Sequence, residues 1–128
     1  MKLLLDTHAF IWLHSAPNKL SVPTANAILN PRNSLWLSLV SIWEMQIKIQ
    51  IGKLKLKLPL ADLIAKEQKI NHIQILPITL PHILGLQALP LHHRDPFDRL
   101  LISQSKIEDM ILVSRDSAFT AYKVQLLW

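Results

Sequence analysis

No cysteine occurs among the 128 residues, which removes disulfides, thiolate catalysis and Cys-based zinc centres from consideration and suits a reducing cytoplasm. No apolar run approaches the length of about eighteen residues that a membrane-spanning helix needs. The opening stretch, MKLLLDTHAFIWLH, is interrupted early by Asp6 and has no small-residue cleavage site after it, so a signal peptide is not expected, nor a membrane. Repeats, linkers and low-complexity segments are missing too. Charge is sparse, at 18% of residues against 50% hydrophobic. That balance excludes disorder and predicts either a well-filled core or an interface covering extra apolar surface. Acids are the scarcer sign, nine against fourteen Lys and Arg, for a net charge of +5. A basic exterior of this kind suits a polyanionic ligand, although net charge alone is a weak guide. The length is that of one domain, spanning 1–128.

What is present alternates between strand and helix patterns. Lys2 to Leu5 reads as a short buried strand and Thr7 to His14 as a helix. Ser21 caps a second helix that runs to Leu29 and ends at the turn signal Asn30-Pro31-Arg32-Asn33. Leu35 to Leu39 predicts a strand, and Ser41 opens a helix that stops at Gly52. Lys53 to Leu58 alternates Lys and Leu, but Pro59 cuts it short, so it is assigned as an extended connection. A helix from Leu60 to Lys69, a strand from Ile73 to Leu76 and a short helix from Pro81 to Leu86 follow. Leu89 to Arg94 is a loop, Asp95 to Glu108 the clearest helix, Met110 to Val113 a strand, and Val124 to Leu127 a last edge strand. Such alternation predicts an α/β sandwich with a mainly parallel sheet, because parallel neighbours need helical crossovers.

The scarce acids are distributed in a telling way. Asp6, Glu44, Asp98 and Asp116 each close or follow an apolar run, in LLLD, WLSLVSIWE, HRDPFD and ILVSRD. In a parallel sheet these positions share the edge formed by strand carboxyl ends and helix amino ends, where ligands bind. Each acid also has a local reading. Asp6 and Asp116 are candidate caps, Ser41 and Glu44 match a capping box, and Asp95-Pro96-Phe97-Asp98 reads as a helix start. Asp95 is assigned to capping, and Asp98 to the site because it shares a face with Leu101, Ile102 and Ser105. Gathered carboxylates repel and so bind a hard cation. Mg²⁺ suits them, with Mn²⁺ as its substitute, and such sites perform phosphodiester hydrolysis by activating water.

Around these acids, Asp95, Thr7, His8 and Ser114 are placed to support the ligands, and Arg94, Arg99, Arg115 and Lys48 to contact phosphate. The six His lack the spacing of a zinc site: His8 and His14 have no third ligand on their face, and His92-His93 is a loop pair. Trp12, Trp36, Trp43 and Trp128 are expected in the core or an interface rather than as base-stacking platforms.

The ordered set LLLDTHAFIWL, SLVSIWEMQIKIQIGKLKL, HHRDPFDRLLISQS and ILVSRDSAF resembles the PIN-domain ribonucleases, above all the VapC-type toxins of toxin–antitoxin pairs, over nearly the whole chain. The resemblance implies a three-layer α/β/α sandwich, Mg²⁺- or Mn²⁺-dependent cleavage of RNA, inhibition by a small antitoxin and a homodimer. It carries the family's acids onto Asp6, Glu44, Asp98 and Asp116. Competing readings are a receiver-like signalling domain that binds Mg²⁺ and a catalytically silent PIN-fold binding module. A receiver would resemble paired acids after the first strand, where Asp6 stands alone. A haloacid-dehalogenase-like phosphatase would want an acid where His8 stands.

Overall fold

The computed structural model describes residues 1–92 and 95–128; the expectations placed on His93 and Arg94 lie outside the described residues. The chain begins with strand β1 (Lys2–Leu5), followed by helices α1 (Thr7–Ser15) and α2 (Val22–Leu29), strand β2 (Ser34–Ser38) and helix α3 (Leu39–Gln50). Helix α4 (Leu60–Ile70), strand β3 (Gln74–Leu76), helix α5 (Leu80–Leu84) and helix α6 (Pro96–Ile107) come next, then strands β4 (Ile111–Val113) and β5 (Leu126–Leu127). The strands form one sheet in the order β3-β2-β1-β4-β5, and every pairing is parallel. This is the expected α/β sandwich.

Strand β1 lies at the centre, and its Leu3, Leu4 and Leu5 are fully buried. A central parallel strand is covered on both faces, so it reads as a continuous apolar run rather than an alternating one. Successive side chains still point to opposite faces. Leu3 and Leu5 join a cluster with Phe10 of α1, Ile28 of α2, Met45 of α3 and Leu63 of α4. Leu4 joins another with Leu101 and Ile102 of α6, Phe119 and Tyr122. Helices thus cover both faces, giving three layers. Each buried leucine contributes about 1.5–3 kcal/mol over an exposed one.

Several boundaries differ from expectation by a residue or two, β5 among them, and two carry a physical reason, of which one matters for the site. The cap of α3 lies three residues earlier than Ser41, at Ser38: the Ser38 hydroxyl accepts from the Val40 N–H at 3.0 Å and donates to Gln104 Oε1 at 2.6 Å. Of the two serines, the one with a tertiary partner wins. Ser41 is buried inside the helix with no hydrogen-bond partner for its hydroxyl among the described residues. The other boundary lies after α5, where the predicted helix to Leu86 tightens into a 3-10 turn over Gly85–Ala88. The end of α3 is as predicted: Gly52 takes a positive φ of 76° and the Lys53 N–H returns to the Lys48 carbonyl at 2.8 Å. Lys53–Leu58 runs outside the sheet as the predicted connection, with its lysines exposed and its leucines packed against the core.

Candidate functional site

The strand order reverses direction at β1. Chain-sequential strands β2 and β3 lie on one side of it, and β4 and β5 on the other. The carboxyl-end crevice between β1 and β4 is therefore the switch point at which ligands bind in open α/β sheets. Asp6 follows β1 directly and Ser114 follows β4 directly. The parallel register, in which Leu5 pairs with Val113, brings them side by side.

Asp6 is the buried centre of the arrangement. Its carboxylate caps α1 by accepting the Ala9 N–H at 2.7 Å, and the Ser114 hydroxyl hydrogen-bonds it as well. Ser114 also accepts the Asp116 N–H at 3.0 Å. One hydroxyl therefore couples two of the candidate acids. Burial pushes the Asp6 carboxyl above the usual carboxylate range, and the Glu44 charge adds to that push. The Ser114 and Ala9 hydrogen bonds and the His8 charge oppose it without overcoming it.

Glu44 sits one turn deeper in α3 than the capping box requires, so the capping-box reading fails. Its carboxylate instead accepts the Thr7 hydroxyl at 2.5 Å through Oε1 and pairs with Lys48 at 3.2 Å through Oε2. Thr7 directly follows Asp6, so these contacts hold Glu44 beside β1. The same contacts revise Lys48: it is the counter-ion of Glu44, one helical turn away. Arg99 is likewise committed elsewhere, donating to the carbonyls of Pro90 at 2.8 Å and Leu86 at 3.3 Å. Both cations thus have internal partners.

Asp95 is the predicted cap of α6, accepting from the Phe97 and Asp98 N–H groups at 2.8 and 3.2 Å. Asp98 stands half-buried in the helix's first turn, while Leu101, Ile102 and Ser105 on its face are buried. Its helix docks on α3 through an edge-on Trp43–Phe97 pair, with ring centroids 5.0 Å apart, so the neighbours of Glu44 and Asp98 touch. Asp116 is exposed and caps a 3-10 turn over Ser117–Tyr122, accepting the Ala118 N–H at 2.9 Å. A shallow cavity opens among Asp6, His8, Trp12, Arg115, Asp116 and Ser117. Trp12, expected in the core or an interface, packs against the core and also lines this cavity. Its spacing of four from His8 is the signal that puts both on one helix face. Two larger cavities open at the opposite, amino ends of the strands, around Leu29, His72 and Gln74 and around Lys2 and Gln125; none of the four acids lines them.

The structure thus links Asp6 to Glu44 through Thr7 and to Asp116 through Ser114, and sets Asp98 on the adjoining helix. Among the described residues, no three His, Asp or Glu side chains lie close enough together to enclose a metal ion. Mg²⁺, where bound, keeps several waters and is held by one or two carboxylates plus substrate phosphate. The donor set is all oxygen, and a cation would relieve the disfavoured charge of Asp6.

The PIN domain family model matches residues 3–125. The chain belongs to the PIN domain family. Solved structures show the same fold. A chain of VapBC2 from Rickettsia felis, solved bound to a DNA fragment from its promoter, is 18% identical with a TM-score of 0.74, covering 99% of this chain and 98% of that one. VapBC from Salmonella typhimurium, also DNA-bound, gives 16% identity and a TM-score of 0.70 over 99% and 97%. FitAcB from Neisseria gonorrhoeae gives 18% and 0.67 over 98% and 96%. No curated protein matches. The PIN family match and the strand order exclude the receiver reading, since receiver domains order their strands 2-1-3-4-5.

Proposed function

We propose that this PIN-domain chain is a Mg²⁺-dependent endoribonuclease and the toxin of a toxin–antitoxin pair. The observation that carries the reading is Asp6, a buried carboxylate at the switch point of a PIN sheet, bonded to Ser114 and joined through it to Asp116 and through Thr7 to Glu44. Holding acids in this way costs free energy unless a cation offsets them. Asp6, Glu44, Asp98 and Asp116 would hold the ion. Bound there, Mg²⁺ or Mn²⁺ supplies an activated water and offsets charge on the departing oxygen.

The chain's own residues orient and select. Thr7 and Lys48 fix the Glu44 carboxylate, Ser114 fixes Asp6, and Arg115 on the cavity wall is placed to take a substrate phosphate. The toxin half of the proposal is supported by similarity to chains solved within VapBC and FitAcB assemblies and by apolar surface left exposed. Val22, Leu29, Leu80, Leu84 and Leu91 are each more than half exposed, as expected of a chain that is covered by a small antitoxin and by a second copy of itself.

Purified protein incubated with RNA should cleave it with Mg²⁺ present and stop when EDTA is added, and Asp6→Asn should lose the activity. Cleavage that persists in EDTA and survives Asp6→Asn would remove the proposed chemistry. A wild-type protein that binds RNA without cutting it in Mg²⁺ would leave the silent binding module instead.

A further inference from the structure

The acidic crevice has one wall that the chemistry above does not use. His8 and Trp12 lie one turn apart on α1 with ring centroids 5.6 Å apart and planes tilted by 43°, and both line the cavity that holds Asp6 and Asp116. His8 is exposed and Trp12 half-buried. Behind Trp12, Trp128 meets it edge-on at 5.7 Å and 61°, and both indoles pack against the core. The ring presented to the cavity is therefore braced and loses little freedom when something stacks on it. Lys19 Nζ lies 5.8 Å from the Trp12 ring centroid, and Arg115 lies on the same cavity as an exposed cation.

Carboxylates, a braced aromatic wall and the Arg115 cation thus line one depression, with Lys19 over the Trp12 ring beside it. Indole and imidazole faces stack on bases, and flanking Lys and Arg take the phosphates on either side. That interleaving is the chemistry by which proteins bind an unpaired strand, and it is tolerant of sequence because every base has a π-face. A duplex offers no such face, since its bases are stacked on one another and paired. Trp12 packs against the core through one side, is half-buried, and contributes to the wall of the cavity that holds Asp6 and Asp116.

We propose that His8 and Trp12 form a binding site for one unpaired nucleobase beside the acidic crevice, with Lys19 and Arg115 contacting the adjoining phosphates. The inference rests on the ribonuclease reading for its substrate, but its test does not need cleavage.

The test measures binding of short fluorescent oligoribonucleotides to the full chain in EDTA. Three probes are compared: an intact single strand, the same strand with a single abasic sugar moved along it, and the strand annealed to its complement. Wild-type protein is expected to bind the single strand more tightly than the duplex, and to lose about 5- to 150-fold in affinity when the abasic sugar reaches one particular position. Trp12→Leu should lose a similar factor with the intact strand and nothing further with the abasic one. His8→Ala should shift affinity the same way by less, and Trp12→Phe, which keeps a ring, should retain most of the binding. The abasic scan uses wild-type protein, so a Trp12→Leu variant that fails to fold does not decide the matter. Equal binding of intact and abasic strands at every position overturns the proposal, as does equal binding of duplex, or wild-type affinity in folded Trp12→Leu. A separate assay of wild-type cleavage in Mg²⁺ keeps the two readings apart. Cleavage without base-dependent binding removes the base site and leaves the nuclease; base-dependent binding without cleavage does the reverse.

Discussion

At Asp6 two demands meet on one carboxylate. It caps α1 and satisfies the Ala9 N–H, and it is buried where its charge is disfavoured. Since folding raises its pKa, the folded chain holds the proton more tightly than the unfolded one. Stability is therefore lost as pH rises from the ordinary carboxylate range through the raised folded value. Asn caps a helix about as well as Asp but carries no charge. Asp6→Asn should thus melt higher than wild type at neutral pH in EDTA, with the difference closing on acidification below the ordinary carboxylate pKa. Added Mg²⁺ should raise the wild-type melting temperature and leave the variant's unchanged. Thermal melts across pH, with and without the ion, check both statements. A variant less stable than wild type at neutral pH would mean that the hydrogen bonds to Asp6 outweigh its burial. The capping roles of Asp6, Asp95 and Asp116 were legible in the sequence as local readings, and all three occur. Capping and site chemistry are compatible because a cap engages one oxygen of the carboxylate.

At the scale of elements, α3 and α6 carry Glu44 and Asp98, and their spacing is set by contacts remote from both acids. Ser38 at the start of α3 donates to Gln104 of α6, and the Gln104 amide lies 3.3 Å from His82 Nδ1 of α5. His82 is fully buried, accepts the Thr79 N–H through Nδ1 and lies 2.9 Å from Glu108 through Nε2. Ser103 of α6 closes the group by donating to the His82 carbonyl at 2.6 Å. Helix α5 approaches α6 closely at Gly85, where an added Cβ would stand 2.6 Å from Ser103 Oγ and 3.0 Å from Ile107 Cδ1. Gly85→Ala is therefore expected to cost about 1–3 kcal/mol through overpacking, read as a lower urea midpoint at unchanged slope. An unchanged midpoint would show that α5 shifts freely. Periodicity located most of these elements, but the start of α3 depended on which of Ser38 and Ser41 found a partner on a helix far along the chain.

For the whole molecule, the exposed apolar surface bears on assembly. Leu80, Ile83 and Leu84 form one stripe on α5, and half-exposed Ile107 adjoins it at Gly85. If this stripe is where two copies meet, the purified chain should sediment as a dimer and Leu80→Lys with Leu84→Lys as a monomer; a dimer unmoved by the double change would place the contact elsewhere. The toxin reading is tested in cells. Expression of the chain alone should arrest growth, and co-expression of a small neighbouring gene product should relieve it. Normal growth with abundant soluble wild-type protein would count against that reading. Among the described residues no helix is long and apolar enough to cross a membrane.

The sequence by itself determined the alternation of elements, the burial of LLL in a central parallel strand, and the recurrence of acids after apolar runs, because periodicity and capping are local and strand ends share an edge in any parallel sheet. Family membership was readable for the same reason, through motifs kept in order. Tertiary structure alone decided how those acids are tied together. Thr7 reaches Glu44 across 37 residues of chain separation, and Ser114 meets Asp6 because β1 and β4 pair. It also gave Lys48 and Arg99 internal partners and set Trp12 on the wall of the cavity that holds Asp6 and Asp116. Such outcomes depend on distances between residues remote in sequence, which no local pattern encodes.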